Sequence, residues 1–260
     1  MANAVTKSKE AEITAFDPSM FEQDAGKGME NMGQEDLALP FLKLISGLDP
    51  LLDDENFKGR KGDIYNTVTG AVHKGKEGVK VIPCAYQRLF IEWAPRGVGS
   101  GAPVNIFSAT EARPKTERSS EDNKEYVVGG QGTYLEETHQ HFVLVVNEDG
   151  AVETALIAMK STQLKKSRKW NSMMQSITMQ GKNGPFTPPR FSSVYTLRSV
   201  GEENSKGAWH GWDMSREGPV EDASTYQRAR TFAQSITDGE VIVKHEGETP
   251  ASNETDDIPF

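Results

Sequence analysis

The stretch His139–Met159 constrains the fold more than any other. His139–Val146 and Ala151–Met159 are rich in β-forming side chains. The four residues between them, Asn147, Glu148, Asp149 and Gly150, are turn formers closed by a glycine. That order specifies an antiparallel β-hairpin. Val79–Trp93 is also β-rich, with Val79, Val81 and then Tyr86 suggesting a period of two. Pro83 lies inside this run and has no N–H for a ladder, so it must sit at a bulge or on an edge. A turn at Gly59–Gly62 leads into a strand over Asp63–Val68. Phe191–Val200 alternates as another strand, and Gly207–Met214 is its expected hairpin partner.

Helical spacing occurs in two places in the body. Over 161–179, Trp170, Met173, Met174 and Ile177 follow the i, i+3, i+4, i+7 pattern, with Lys165, Arg168 and Lys169 largely on the other side. Over Tyr226–Ile236, Tyr226, Ala229, Ala233 and Ile236 line one face. Phe41, Leu44, Ile45 and Leu48 fit one helical face after Pro40, and a strand is the alternative there. Several short strands with two helices and no β-α-β alternation predict an α+β domain, mainly antiparallel β. An OB-like barrel with an inserted helix and loops is one solution; other barrels and sandwiches fit the pattern too. The expected organisation is a disordered acidic segment over 1–36 with a short helix near Pro18–Phe21, a folded body over 37–240, and a flexible acidic tail over 241–260. Residues 111–125 carry nine charged side chains and read as a solvated excursion.

The net charge of -9 argues at first against a nucleic-acid partner, but the charge is unevenly spread. Residues 1–37 hold eight acids against three lysines, and residues 238–260 hold seven against one, which leaves the body at +2. Residues 154–201 contain eight basic side chains and no Asp or Glu. Single strands are held by cations that track the backbone and by rings on which bases stack. The candidates are therefore Lys160, Lys165, Lys166, Arg168, Lys169, Arg190 and Arg198, with Tyr195, Trp209 and Trp212 as possible platforms. A solvated helix face beside core aromatics is the competing reading, and Trp170, on the apolar stripe, is expected in the core. Trp209 and Trp212 have odd spacing on a strand, so one of them should point outward. Arg60, Lys61, Tyr65, Arg88 and Arg96 form a second rank.

The segment ending in Asp256-Asp257-Ile258-Pro259-Phe260 is similar to the C-terminal tip of bacterial single-stranded-DNA-binding proteins. That resemblance implies a docking peptide for replication and repair partners. The body resembles a class of bacteriophage single-stranded-DNA-binding proteins through Leu39–Leu44, Lys61–Thr69, Val79–Pro83 and Phe90–Trp93. Together they imply sequence-independent single-stranded DNA binding in phage replication, recombination and repair on an OB-fold, with partners recruited through Asp256, Asp257, Ile258, Pro259 and Phe260. The acidic tail is expected to compete with DNA for the basic groove. The alternatives are a single-strand annealing protein and a tail-bearing adaptor that does not bind DNA.

Signals for chemistry are weak. Gly97–Gly101 lacks the Gly-Lys-Ser/Thr of a phosphate loop and reads as a flexible loop. His139 and His141 share a strand face, yet only Glu136 and Glu137 stand nearby, so no metal site, cofactor or catalytic group is expected. The lone Cys84 fits a reducing compartment and a buried small hydrophobe. No apolar stretch reads as a secretory signal or a membrane span, and the host cytoplasm is the expected location.

Overall fold

The computed structural model describes residues 19–33, 36–95, 97–98, 101–204, 207–241 and 243. The chain divides into two compact units, Met1–Leu37 and Ala38–Phe260. Within the described part of the first, a short helix α1 spans Ser19–Gln23, where one was expected, and turns follow it.

The second unit is α+β, mostly antiparallel strands in a curled, half-barrel sheet of OB-like form. Its strands are β1 (Leu42–Leu44), β2 (Ile64–Asn66), β3 (Val72–His73), β4 (Val79–Trp93), β5 (Asn105–Ser108), β6 (Thr116–Arg118), β7 (Glu125–Val127), β8 (Tyr134–Val146), β9 (Val152–Lys160), β10 (Met179–Gly181), β11 (Gly184–Phe186), β12 (Ser193–Asn204) and β13 (Gly207–Pro219). Helix α2 (Gln163–Gln175) follows β9, and α3 (Ala223–Thr237) follows β13. The main sheet runs β13-β12-β4-β8-β7-β6, with β5 also on β4 and β9 also on β8. The β8–β9 hairpin turns at Asn147–Gly150 as expected, with Val146 opposite Val152 and Gly150 at φ 83. The β12–β13 hairpin is also the expected one.

Two expectations are corrected. The Pro40–Ile45 segment is not helical: Leu42–Leu44 is a strand paired with β2, the Leu156 N–H donates to Pro40 O, and Phe41 forms a parallel bridge to Leu156. Hydrogen-bond partners on two sides outweigh an apolar spacing that suited either state. The helix expected over 161–179 stops at Gln175, and Met179–Gly181 pairs with Gly184–Phe186 as a small hairpin.

Residues 81–84 of β4, 138–145 of β8 and 155–157 of β9 are buried whichever face they point to, so the apolar residues there run nearly continuously. One face packs Val79, Val81, Val143, Val145, Ala155, Ile157 and Met159 with Trp170 and Met174 of α2 and with Tyr195, Leu197, Trp212 and Met214. The other packs Ile82, Cys84, Phe142, Leu144, Val152 and Leu156 with Ala229, Phe232 and Ile236 of α3. Cys84 is buried, and its Sγ–H donates to Ile82 O at 3.3 Å. Pro83 does lie at a bulge: Pro83 is opposite Val143 and Ala85 opposite Phe142, leaving Cys84 unmatched.

The β2–β3 end is fastened to β12 through Gly75. Its N–H donates to buried Asp63 Oδ1 at 3.0 Å, and its carbonyl accepts from Ser199 N at 2.8 Å. A Cβ there would fall 1.9 Å from Gly62 O and 2.7 Å from Ser199 Cβ. Gly75→Ala is therefore expected to lower stability by about 1–3 kcal/mol, the usual cost of overpacking a tight site. Urea unfolding at neutral pH checks this, and an unchanged midpoint would mean the fastening is loose.

Candidate nucleic-acid interface

Beyond the bulge, β4 presents Tyr86, Arg88 and Phe90 at alternate positions, opposite His141, His139 and Glu137 of β8. The Arg88 guanidinium lies 5.0 Å from the Phe90 ring centre, and Arg113, from the loop before β6, lies 3.6 Å from the same ring. Arg190, in the 3-10 turn before β12, lies 5.4 Å from the Tyr86 ring. From α2, Arg168 reaches Glu137 at 3.5 Å, and Arg88 Nε meets the same Oε1 at 2.9 Å. The result is a strip of half-buried rings edged by four guanidinium groups. Arg88, Arg113 and Arg168 are exposed.

Beneath the strip runs a buried polar chain. Arg190 meets His141 Nδ1 at 3.2 Å, and His141 Nε2 meets Ser167 Oγ at 2.8 Å. Ser167 Oγ meets His139 Nδ1 at 2.7 Å, and His139 Nε2 meets Glu137 Oε1 at 2.9 Å. The two ends fix every proton between them. Arginine only donates, so His141 Nδ1 is bare and its Nε2–H donates to Ser167. A carboxylate only accepts, so His139 carries its proton on Nε2. The Ser167 hydroxyl then donates to His139 Nδ1. Both rings are neutral in this arrangement. Burial, reinforced by Arg190 and His139, holds His141 well below the ordinary histidine value. Burial also lowers His139, outweighing the pull of Glu137. Burial pushes Glu137 up, but the His139 hydrogen bond and the charges of Arg88 and Arg168 prevail, and its carboxyl sits below the ordinary range. With Ser167, Glu137 and Arg190 on their nitrogens, these rings are committed to holding α2 against β8.

The residues singled out from the sequence fall into separate environments. Arg168 and Arg190 join the strip. Lys165 is exposed on α2 and has no ion pair among the described residues. Lys166 pairs with Glu202, which also accepts from Trp209 Nε1 at 3.0 Å. Lys169 faces Asp213 at 3.9 Å, Lys160 faces Glu136 at 3.4 Å, and Arg198 donates to Ser215 Oγ at 2.9 Å. The acid-free window is thus compensated in space by carboxylates of β8, β12 and β13. Tyr195 and Trp212 are core residues, 0% and 3% exposed, so neither offers a face to a base. Trp209 is half-buried on the opposite side of β13 from Trp212, as odd spacing requires. Trp170 is wholly buried, stacked 4.7 Å from His141.

Of the second rank, Arg88 joins the strip. Tyr65 packs on Phe57 at 5.7 Å, Arg60 and Lys61 sit at the turn before β2, and Arg96 lies outside the described residues. So does Asp256–Phe260. Tyr86, Phe90 and Arg113 were missed. The alternation of Tyr86, Arg88 and Phe90 after Pro83 was the available signal.

A family model described as Pam3 phage gp34-like protein matches residues 8–242. No curated protein and no solved structure matches the chain. No helix among the described residues is long and apolar enough to cross a membrane.

The neutral histidines make stability depend on pH. A base whose folded pKa lies below its unfolded value takes up protons on unfolding, so stability is full above about pH 6.5 and falls as pH drops below it. Urea midpoints are expected to hold from pH 8 to about 6.5 and then decline towards pH 5; a flat profile would contradict neutral rings. Ser167→Ala strands a donor on His141 and an acceptor on His139, at a cost of about 2–3 kcal/mol at pH 7.5.

Proposed function

From a chain that belongs to the Pam3 phage gp34-like protein family, and so is a phage protein, we infer a role in coating single-stranded DNA without reading its sequence. The observation that carries this reading is the strip of Tyr86 and Phe90 edged by Arg88, Arg113, Arg168 and Arg190 on an OB-like sheet. Bases stack on the rings, and any base has a face that suits them. Guanidinium groups now resting on Phe90 or on Glu137 turn to the phosphates. Lys165 extends the basic edge along α2. Nothing in this mechanism requires a covalent step. Its setting is replication, recombination and repair of phage DNA in the host cytoplasm. Asp256–Phe260 serves as the recruiting peptide, its ring and proline suited to an apolar pocket and its aspartates to a basic rim.

The test is anisotropy of labelled oligo(dT) with the full chain at several salt concentrations. With roughly 4–6 phosphates contacted, log affinity should fall against log salt with a slope of about -3 to -4. Phe90→Ala should weaken binding by about 1–3 kcal/mol, roughly 5- to 150-fold, with little change in slope. A chain lacking 247–260 should bind more tightly at low salt, since the acidic tail competes for the same cations. No binding at low salt by either chain would sink the reading.

A further inference from the structure

Arg190 is a half-buried cation held by neutral groups. Its side chain donates to Asn171 Oδ1 at 3.0 Å and to His141 Nδ1 at 3.2 Å, both neutral groups. No carboxylate pairs with it among the described residues, and its Nε is buried without a hydrogen-bond partner. Burial lowers its pKa to about 10, because nothing negative lies close enough to offset the loss of water. A half-buried cation held only by neutral groups is favoured by an anion that completes it.

Beside Arg190 is a cavity of about 530 Å³, within the range of small-ligand sites. It lies in a gap of the sheet. On that side of β4, pairing with β12 ends at Val81 and pairing with β5 begins at Leu89. The turn carrying Arg190 and Phe191, together with α3, fills the interval. From α3, Arg230 lines the same cavity, and it has no ion pair among the described residues. Gln87 adds an amide that can both donate and accept, whereas the Gln234 amide already donates to the two Asp238 oxygens at 2.8 and 3.0 Å and offers its carbonyl as an acceptor. The residue nearest the strip is Tyr86, which lines the cavity and lies under the Arg190 guanidinium.

We propose that this cavity holds one nucleotide: its phosphate between Arg190 and Arg230, its base against Phe191 with the two glutamine amides at its edge. The proposal rests on the single-strand reading, and it makes the cavity the point where the DNA strand leaves the β4 strip and enters the interval between β12 and β5. Two cations suit one phosphate, and the Gln87 amide tolerates any base because it can present a donor or an acceptor.

The experiment combines NMR of the arginine Nε–H resonances with oligo(dT) affinity, on the full chain and on Arg230→Gln. Arg230 is exposed, so this variant keeps the fold. The probes are oligo(dT), thymidine monophosphate and inorganic phosphate. Expected is a shift of the Arg190 Nε–H signal with oligo(dT) and with the monophosphate. In Arg230→Gln the monophosphate should bind at least 10-fold more weakly. Its oligo(dT) salt slope should be shallower by about 0.7, the share of one phosphate contact. Oligo(dT) binding that leaves the Arg190 signal unmoved and the Arg230→Gln slope unchanged overturns the cavity proposal while sparing the single-strand reading. Monophosphate binding without oligo(dT) binding keeps the cavity as a mononucleotide site and sinks the single-strand reading. Binding of none of the three probes overturns both.

Discussion

The side-chain period of a strand is two, so a single unmatched residue reverses every side chain beyond it. In β4 that residue is Cys84. Before it, Val79 and Val81 face the α2 core, while Ile82 faces the α3 core. Without the bulge that alternation would carry Ala85 and Gln87 onto the α2 side, and Tyr86, Arg88 and Phe90 would stand on the other. With it, Ala85 packs towards α3 and Tyr86 falls opposite His141. Every cation–ring contact on the strip depends on that reversal. Pro83 is compatible with the site because the β12 ladder has already ended at Val81.

The helix that completes the strip is placed by polar contacts as well as apolar ones. Ser167, Trp170 and Met174 form the buried stripe of α2. The two apolar members would tolerate small slides over the sheet. Ser167 would not, since one hydroxyl must serve two histidine nitrogens at 2.7 and 2.8 Å. A buried polar network is stabilising only when every member is satisfied, so it fixes a single rotation and height for the helix. Lys165, Arg168 and Lys169 then project from the exposed side of α2. The buried stripe and the exposed basic face of α2 are thus written on the same thirteen residues at different phases.

Much of this was legible from the sequence. The Asn147–Gly150 turn, the β12–β13 pairing and the two body helices are local signals, and local chemistry decides them. The strand at Leu42–Leu44 was ambiguous because its partners, Leu156 and the β2 strand, are distant along the chain. The acid-free window was misleading for the same reason: Glu136, Glu137, Glu202 and Asp213 reach it from other strands. Tyr195 and Trp212 looked like platforms because their types suit stacking, but burial is set by register across the sheet and is invisible in one strand. Tyr86 and Phe90 were missed as a site because the guanidinium groups of Arg190 and Arg113 reach them from segments distant along the chain.

The compensated cations are not disqualified from binding phosphate. An exposed ion pair contributes about 0–1 kcal/mol, so exchanging its carboxylate for a phosphate costs little. Glu137 is suited to such an exchange, because it is shared by Arg88, Arg168 and His139 and keeps partners when one guanidinium leaves. It holds those guanidinium groups near the rings, which on the proposed single-strand reading lowers the entropy lost on binding. Lys166 differs: it and Trp209 both depend on Glu202, and moving the lysine would leave the indole N–H holding the carboxylate alone. Ease of exchange therefore favours the β4 strip over the α2–β13 corner, even though the corner carries more of the basic residues that stand out in the sequence.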